Sequence, residues 1–167
     1  MKNLLRLIAL TLCLCFAHQT EAVAQDYKSA VGLRLGYPLA VSYKTFISES
    51  SAVEAYVGFR SYSYGSYISV NAAYQIHQDI ESVDGLQWYF GGGAGVQLFS
   101  YDAFSEGATF FNINGYLGLQ YTFPDTPVSV TADWVPGFAF GTGLGGFGGS
   151  GFGGGRGGLG VRYVLSR

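Results

Sequence analysis

His77, Asp79 and Glu81 stand together in the stretch "HQDIE", an imidazole with two carboxylates, the residue types a hydrolase uses to move a proton between nucleophile and leaving group. From Gln25 onward His77 is the only histidine, so every histidine-based mechanism would run through it. No serine stands in a nucleophile-elbow context, and the order of the loops sets His77 beside a tight turn. The spacing therefore favours an ordinary interfacial histidine over a catalytic one. A second chemical signature, Gly141-x-Gly143-x-x-Gly146, has the glycine spacing of a dinucleotide-binding turn. That turn needs a helix to follow and an acidic residue about 20 positions on. Here only more glycine follows, and the sequence stops first. Gly141 to Gly158 reads instead as a flexible last loop, with Phe147, Phe152 and Arg156 available to touch lipid headgroups or a partner, or else as a disordered tether.

The remaining chemistry lies in the charges. Lys44 and Glu54 flank Glu49 at equal distances, so a hairpin in that register faces one with the other. Asp133 and Arg162 form a second candidate pair, and Arg34 and Arg60 complete the set. Opposite charges on neighbouring strands neutralise one another where water is scarce, and they can also act as a gate. The first role is the commoner.

The N-terminus sets the compartment. Lys2 and Arg6 precede a largely apolar run from Leu7 to Phe16, and Ala22-x-Ala24 stands before Gln25. Residues 1–24 are expected to be a cleaved secretory signal, cut after Ala24, leaving one domain over 25–167. The apolar run is too short for a membrane helix, which takes about 20 residues. Cys13 and Cys15 leave with the signal, so the mature chain is expected to carry neither disulfides nor cysteine metal ligands. Removing Lys2, Arg6 and Glu21 takes the net charge from −2 to −3. With no run of like charge, nothing recruits nucleic acid, and no residue pattern calls for a cofactor or a metal.

No stretch of the mature chain has helical apolar spacing, and its glycine density would weaken any helix. The period is two. Eight strands are predicted, at about 28–36, 39–48, 52–62, 67–77, 86–100, 109–123, 128–140 and 157–165. One parity collects Val53, Ala55, Val57 and Phe59, with Ile68, Val70, Leu117, Leu119, Val161 and their like on the other strands, and no charge. The opposite parity holds Arg34, Lys44, Glu54, Arg60, Asp133 and Arg162 among Ser, Asn, Gln and Gly.

Six charges over eight strands are too few for a surface in water, where Lys and Glu would abound. They suit a narrow interior. The apolar parity carries Tyr74, Trp88, Tyr121, Phe123, Trp134 and Tyr163 as a candidate aromatic girdle, most of it near the tight turns. A Lys or Arg at the lipid midplane costs about 2–4 kcal/mol, which accounts for a face without one. The pattern thus predicts an all-β, eight-stranded antiparallel up-and-down transmembrane barrel, with lipid outside.

The segments "VSYKTFISESSAVEAYVGF" and "LQYTFPDTPVSVTADWVPGF", with the ending "GLGVRYVLSR", resemble the small eight-stranded outer-membrane barrels of Gram-negative bacteria, the OmpA/OmpX type. The resemblance implies outer-membrane localisation, contact with outer-membrane lipid and lipopolysaccharide, and a monomer. It also implies that Gly160, Tyr163 and Leu165 form a C-terminal signal read by the barrel assembly machinery. The chain departs from the type at its end, where Ser166 and Arg167 follow instead of a terminal aromatic residue. The expected role is structural or surface-interacting through the loops. The alternatives are a lipid A-modifying hydrolase and a narrow channel.

Overall fold

The computed structural model describes residues 27–36, 38–63, 65–101, 107–142 and 148–166, with backbone alone at Tyr101, Thr142 and 148–156. The expected signal, with Ala22 and Ala24, lies outside the described residues, as does Phe147. Eight strands follow one another: β1 Ser29–Leu35, β2 Leu39–Phe46, β3 Ser51–Tyr62, β4 Gly65–Asp79, β5 Leu86–Tyr101, β6 Ala108–Thr122, β7 Val128–Thr142 and β8 Gly148–Ser166. Each pairs antiparallel with the next, and β8 returns to β1 to close the barrel. Closure leaves no unpaired edge along the seam, where Ser29 faces Ser166 and Leu35 faces Leu159.

Alternation sorts the side chains by environment. Phe59, Ile113 and Leu159 are 57, 59 and 58% exposed, whereas Lys44, Glu54 and Gln120 are 0% exposed. The barrel is therefore inverted relative to a water-soluble protein, with its apolar side outward and its polar side packed within. Among the described side chains, no outward-facing strand position is charged. The parity in the sequence decides this, because strands of period two can present only these two faces.

Three turns at one end are tight. Ile47 N–H donates to Ser51 O at 2.8 Å, Ile80 N–H to Leu86 O at 2.9 Å and Phe123 N–H to Val128 O at 3.0 Å. Gly85 closes the second of these at φ 79°, a conformation that side chains rarely adopt.

The glycine tract is where the structure departs from the sequence reading. Residues 148–158 are not a loop: they extend β8 along β7, with Thr142 opposite Gly148, Phe138 opposite Phe152 and Trp134 opposite Gly157. The physical reason is that β7 offers a ready ladder of backbone groups, and this ladder outweighs the poor intrinsic strand preference of glycine. The pairing shifts between Val135 and Gly137, where Pro136 has no N–H to give. Of the predicted loop, 143–147 lie outside the described residues.

At Gly91 the neighbouring strand comes so close that a Cβ would strike the Tyr74 carbonyl oxygen and lie 2.9 Å from Gln75 Cα. Backbone cannot give way as a side-chain tip can. Replacing Gly91 by Ala is expected to destabilise the barrel by about 1–3 kcal/mol, read as a lower urea midpoint of the refolded protein.

Candidate functional site

Glu54 lies in the middle of β3, opposite Lys44 on β2 and Ala73 on β4, and its parity turns it inward. Its carboxylate is the centre of an ion network. Arg34 Nη1 donates to Oε1 and Oε2 at 3.2 Å each, and Arg162 Nη2 donates to Oε1. Gln75 Nε2 adds a bond to Oε2 at 2.9 Å. The other guanidinium nitrogen of Arg34 donates to Asp133 Oδ2 at 2.6 Å, which also accepts from Tyr89 OH at 2.7 Å. Arg162 Nη1 reaches Thr131 Oγ1 at 3.0 Å. All these ionic groups are buried, so their mutual neutralisation is what lets them stay charged.

Lys44 is treated differently. Its ammonium donates to Gln120 Oε1 at 3.0 Å and lies 4.8 Å from the centre of the Tyr89 ring and 5.6 Å from that of Phe46. Tyr27 OH donates to the same Gln120 oxygen at 3.1 Å, and Gln120 Nε2 passes on to Gln87 Oε1 at 3.2 Å. Ring faces and amide oxygens thus hold the one buried cation that no described carboxylate pairs with. On the other side of the ion network, Tyr56 and Tyr116 share a hydrogen bond at 2.7 Å, and Arg34 stands 5.0 Å from the Tyr56 ring.

The sequence places these residues unevenly. Lys44 and Glu54 are cross-strand partners, as the hairpin register predicts, yet the ammonium turns away to Gln120. The expected Asp133–Arg162 pair does not form. Asp133 faces Gly158 on β8, whereas Arg162 faces Ser129, too far down β7, so Arg34 takes Asp133 and Arg162 takes Glu54. Arg60 lies near the loop end of β3, with its guanidinium 4.4 Å from the Tyr62 ring. His77 is buried inside the barrel at the turn end, not at its outer interface, because it shares the parity of Gln75. Its ring lies 4.9 Å from Phe46 and 4.8 Å from Tyr89.

Of the girdle candidates, Tyr121 faces Leu86, Tyr163 faces Val128 and Phe123 follows β6, all at the turn end, with Trp88 and Tyr74 slightly further in. Trp134 does not join them: it sits well up β7, between Leu117 and Gly157. Of the assembly-signal residues, Tyr163 and Leu165 point outward, while Gly160 is inside, where a Cβ would meet Thr131 Oγ1. The side chains of Phe152 and Arg156 lie outside the description. Sequence reasoning did not single out Tyr27, Tyr56, Tyr89 and Tyr116. The shared parity of Tyr56 with Glu54 and of Tyr89 with Gln87 was the available signal.

No protein-family model and no curated protein matches the chain. Among solved structures it is similar to the crystal structure of Neisserial surface protein A, with a TM-score of 0.52 and 13% identity over 82% of this chain and 93% of that one. The likeness is one of fold. It joins the chain to an eight-stranded outer-membrane barrel through architecture alone.

Removing one carboxylate here leaves two guanidinium groups facing each other. Glu54→Gln is expected to cost about 3–5 kcal/mol of unfolding free energy. Lys44→Met should stay within about 1 kcal/mol of the parent, since Gln120 keeps its bond from Tyr27. Urea titration of the refolded barrel, followed by tryptophan emission, compares the two.

Proposed function

We propose that the chain is an integral outer-membrane barrel, exported by its N-terminal signal, with a sealed lumen and a structural or surface-interacting role. The observation that carries this reading is the inverted barrel: an apolar exterior with no charge at the described outward strand positions, around a buried ion network. Water would leave that exterior unsatisfied, whereas hydrocarbon suits it, and a closed backbone ladder is what hydrocarbon demands. The fold shared with an outer-membrane barrel supports the same environment.

The interior supports a sealed barrel over a channel, because eight strands leave room for side chains and little else. Arg34, Glu54, Asp133 and Arg162 cross it, with tyrosines and glutamines on either side. His77, set against two aromatic rings, has the company of a packed residue rather than that of a hydrolase base. In this reading lipid and lipopolysaccharide contact the outer face of a monomer, and the assembly machinery reads Gly160, Tyr163 and Leu165. Tyr74, Trp88, Tyr121, Phe123 and Tyr163 form the girdle on the turn side.

Two experiments test it. The membrane fraction should hold a band whose gel mobility changes on heating, and planar bilayers should show no steady conductance. Recovery of the folded chain in plain buffer without detergent would overturn the membrane assignment, and a steady unit conductance would overturn the sealed lumen. Val57, exposed in the middle of β3, gives a sharper probe. Val57→Arg is expected to cost about 2–4 kcal/mol in lipid. A water-bathed surface would tolerate it within about 0.5 kcal/mol.

A further inference from the structure

The outer wall does not end at one height. β1 stops at Leu35 and β2 starts at Leu39, so the two form a short hairpin, while β4 through β8 run on toward the loop end. How far they run follows from the stagger of the barrel. From Ala40 the register passes one way through Gly58 and Ser69 to Gln97 on β5, and the other way through Arg34, Gly160, Thr131 and Gln120 to Gln87 on the same strand. One circuit of the eight strands therefore climbs ten residues, from Gln87 to Gln97. At about 3.3 Å per residue and a tilt near 40°, each residue adds about 2.5 Å of height, so each strand crossed from β2 toward β5 lifts the register line by about 3 Å.

The apolar face rises with that line. Leu39 is the uppermost outward side chain of β2, and its register runs through Phe59 and Ile68 to Leu98, all four exposed. Three strands on, Leu98 thus stands roughly 10 Å above Leu39. Polar residues follow at once: Ser61 is the next outward position on β3, and it faces Ser66, which faces Ser100. At the turn end the wall is level, since Ile47 and Leu86 both lie about 20 Å below Leu39. The outward apolar wall is therefore about 20 Å tall along β2 and about 30 Å along β5, against about 25 Å for the usual band of an outer-membrane barrel. Tilting cannot level such a wedge, because it raises the upper and lower rims of one flank together.

Two further features stand where the hairpin ends. Arg60, half-buried, follows Phe59 directly, and above Leu159 the β8 backbone pairs with β7 alone among the described residues, leaving a notch over the hairpin. A charged side chain and a ladder edge both favour water or headgroups over hydrocarbon. On the membrane reading above, on which this inference rests, we propose that the bilayer is thinned along the β1–β2 hairpin. The loop-side leaflet dips there until its headgroups meet Leu39, roughly 10 Å below the level they hold at Leu98. The partner of this flank is thus compressed lipid, with short or disordered acyl chains, rather than a second protein. Thinning is how a bilayer answers an apolar span shorter than its own core.

Fluorescence depth quenching tests this on the full processed chain, which has no cysteine from Gln25 onward. Leu39→Cys, Leu98→Cys, Ile47→Cys and Leu86→Cys are each labelled with the fluorophore NBD. They are refolded into dioleoylphosphatidylcholine vesicles containing lipid spin-labelled at the headgroup or deep in the acyl chain. The labels at positions 39 and 98 should read the same shallow depth to within about 3 Å, and those at 47 and 86 should likewise agree. A label at 39 lying roughly 10 Å deeper than the one at 98, or a lower pair that separates by as much through tilt, overturns the proposal. So does disulfide formation between copies of unlabelled Leu39→Cys at high lipid dilution, which gives the flank to a second copy. Every variant is first scored for heat-modifiable mobility. Val41→Cys and Val96→Cys, which share one register line, replace an upper pair that does not fold, with the same agreement expected. Inserted labels at unequal depth sink this inference alone, whereas a chain that never inserts sinks the membrane reading as well.

Discussion

Glu54 accepts from Arg34 on β1, from Arg162 on β8 and from Gln75 on β4, so a single carboxylate ties both strands of the closing seam to the wall beside them. Seam closure and charge burial are thus one problem with one solution. A barrel of eight strands has a single narrow axis, and whatever points inward must share it. Paired guanidinium and carboxylate groups fill that axis at a penalty that falls as their remaining lone pairs and protons find company, which Tyr89, Gln75 and Thr131 provide in part. Because the charges are gathered inside in this way, the outward strand positions carry none among the described side chains.

That division is written plainly in the sequence. Strict alternation over β3, with Glu54, Tyr56 and Arg60 on one parity and Val53, Val57 and Phe59 on the other, assigns the faces of the strand without reference to its neighbours. Cross-strand register across a tight turn is nearly as legible, and Lys44 does stand opposite Glu54. Which charge meets which across the lumen is not. Such contacts depend on stagger and on the reach of long side chains, so Arg34 on β1 could claim Asp133 from β7 while Arg162, on the strand adjacent to β7, could not. The sequence predicts His77 at the interface, yet the parity it shares with Gln75 turns it inside, where the barrel closes over it.

The glycine tract shows the opposite limit of local reasoning. Composition alone calls it a flexible linker, since glycine weakens strands through entropy and offers no side chain to pack. In the barrel its backbone is paired along β7 from Thr142 downward, and the ladder decides the conformation. Glycine then acquires a second meaning. Gly160 leaves space for Thr131 and the Arg162 guanidinium, and Gly158 leaves space for Asp133, so the bare positions of β8 are what admit the bulky interior groups of its neighbours.

Unequal strand length connects these points to function. β1 and β2 have 7 and 8 residues, against 15 to 19 for β4 through β8, so the tall part of the wall is carried by five strands, and above Leu159 β8 pairs with β7 alone among the described residues. A soluble barrel would expose that gap to water, which satisfies free backbone groups at little cost. In hydrocarbon the same gap would be expensive, because nothing there satisfies a free backbone group. The exposed side chains of Leu35, Trp134 and Leu159 stand at the base of the notch, so its rim continues the apolar exterior of the lower barrel.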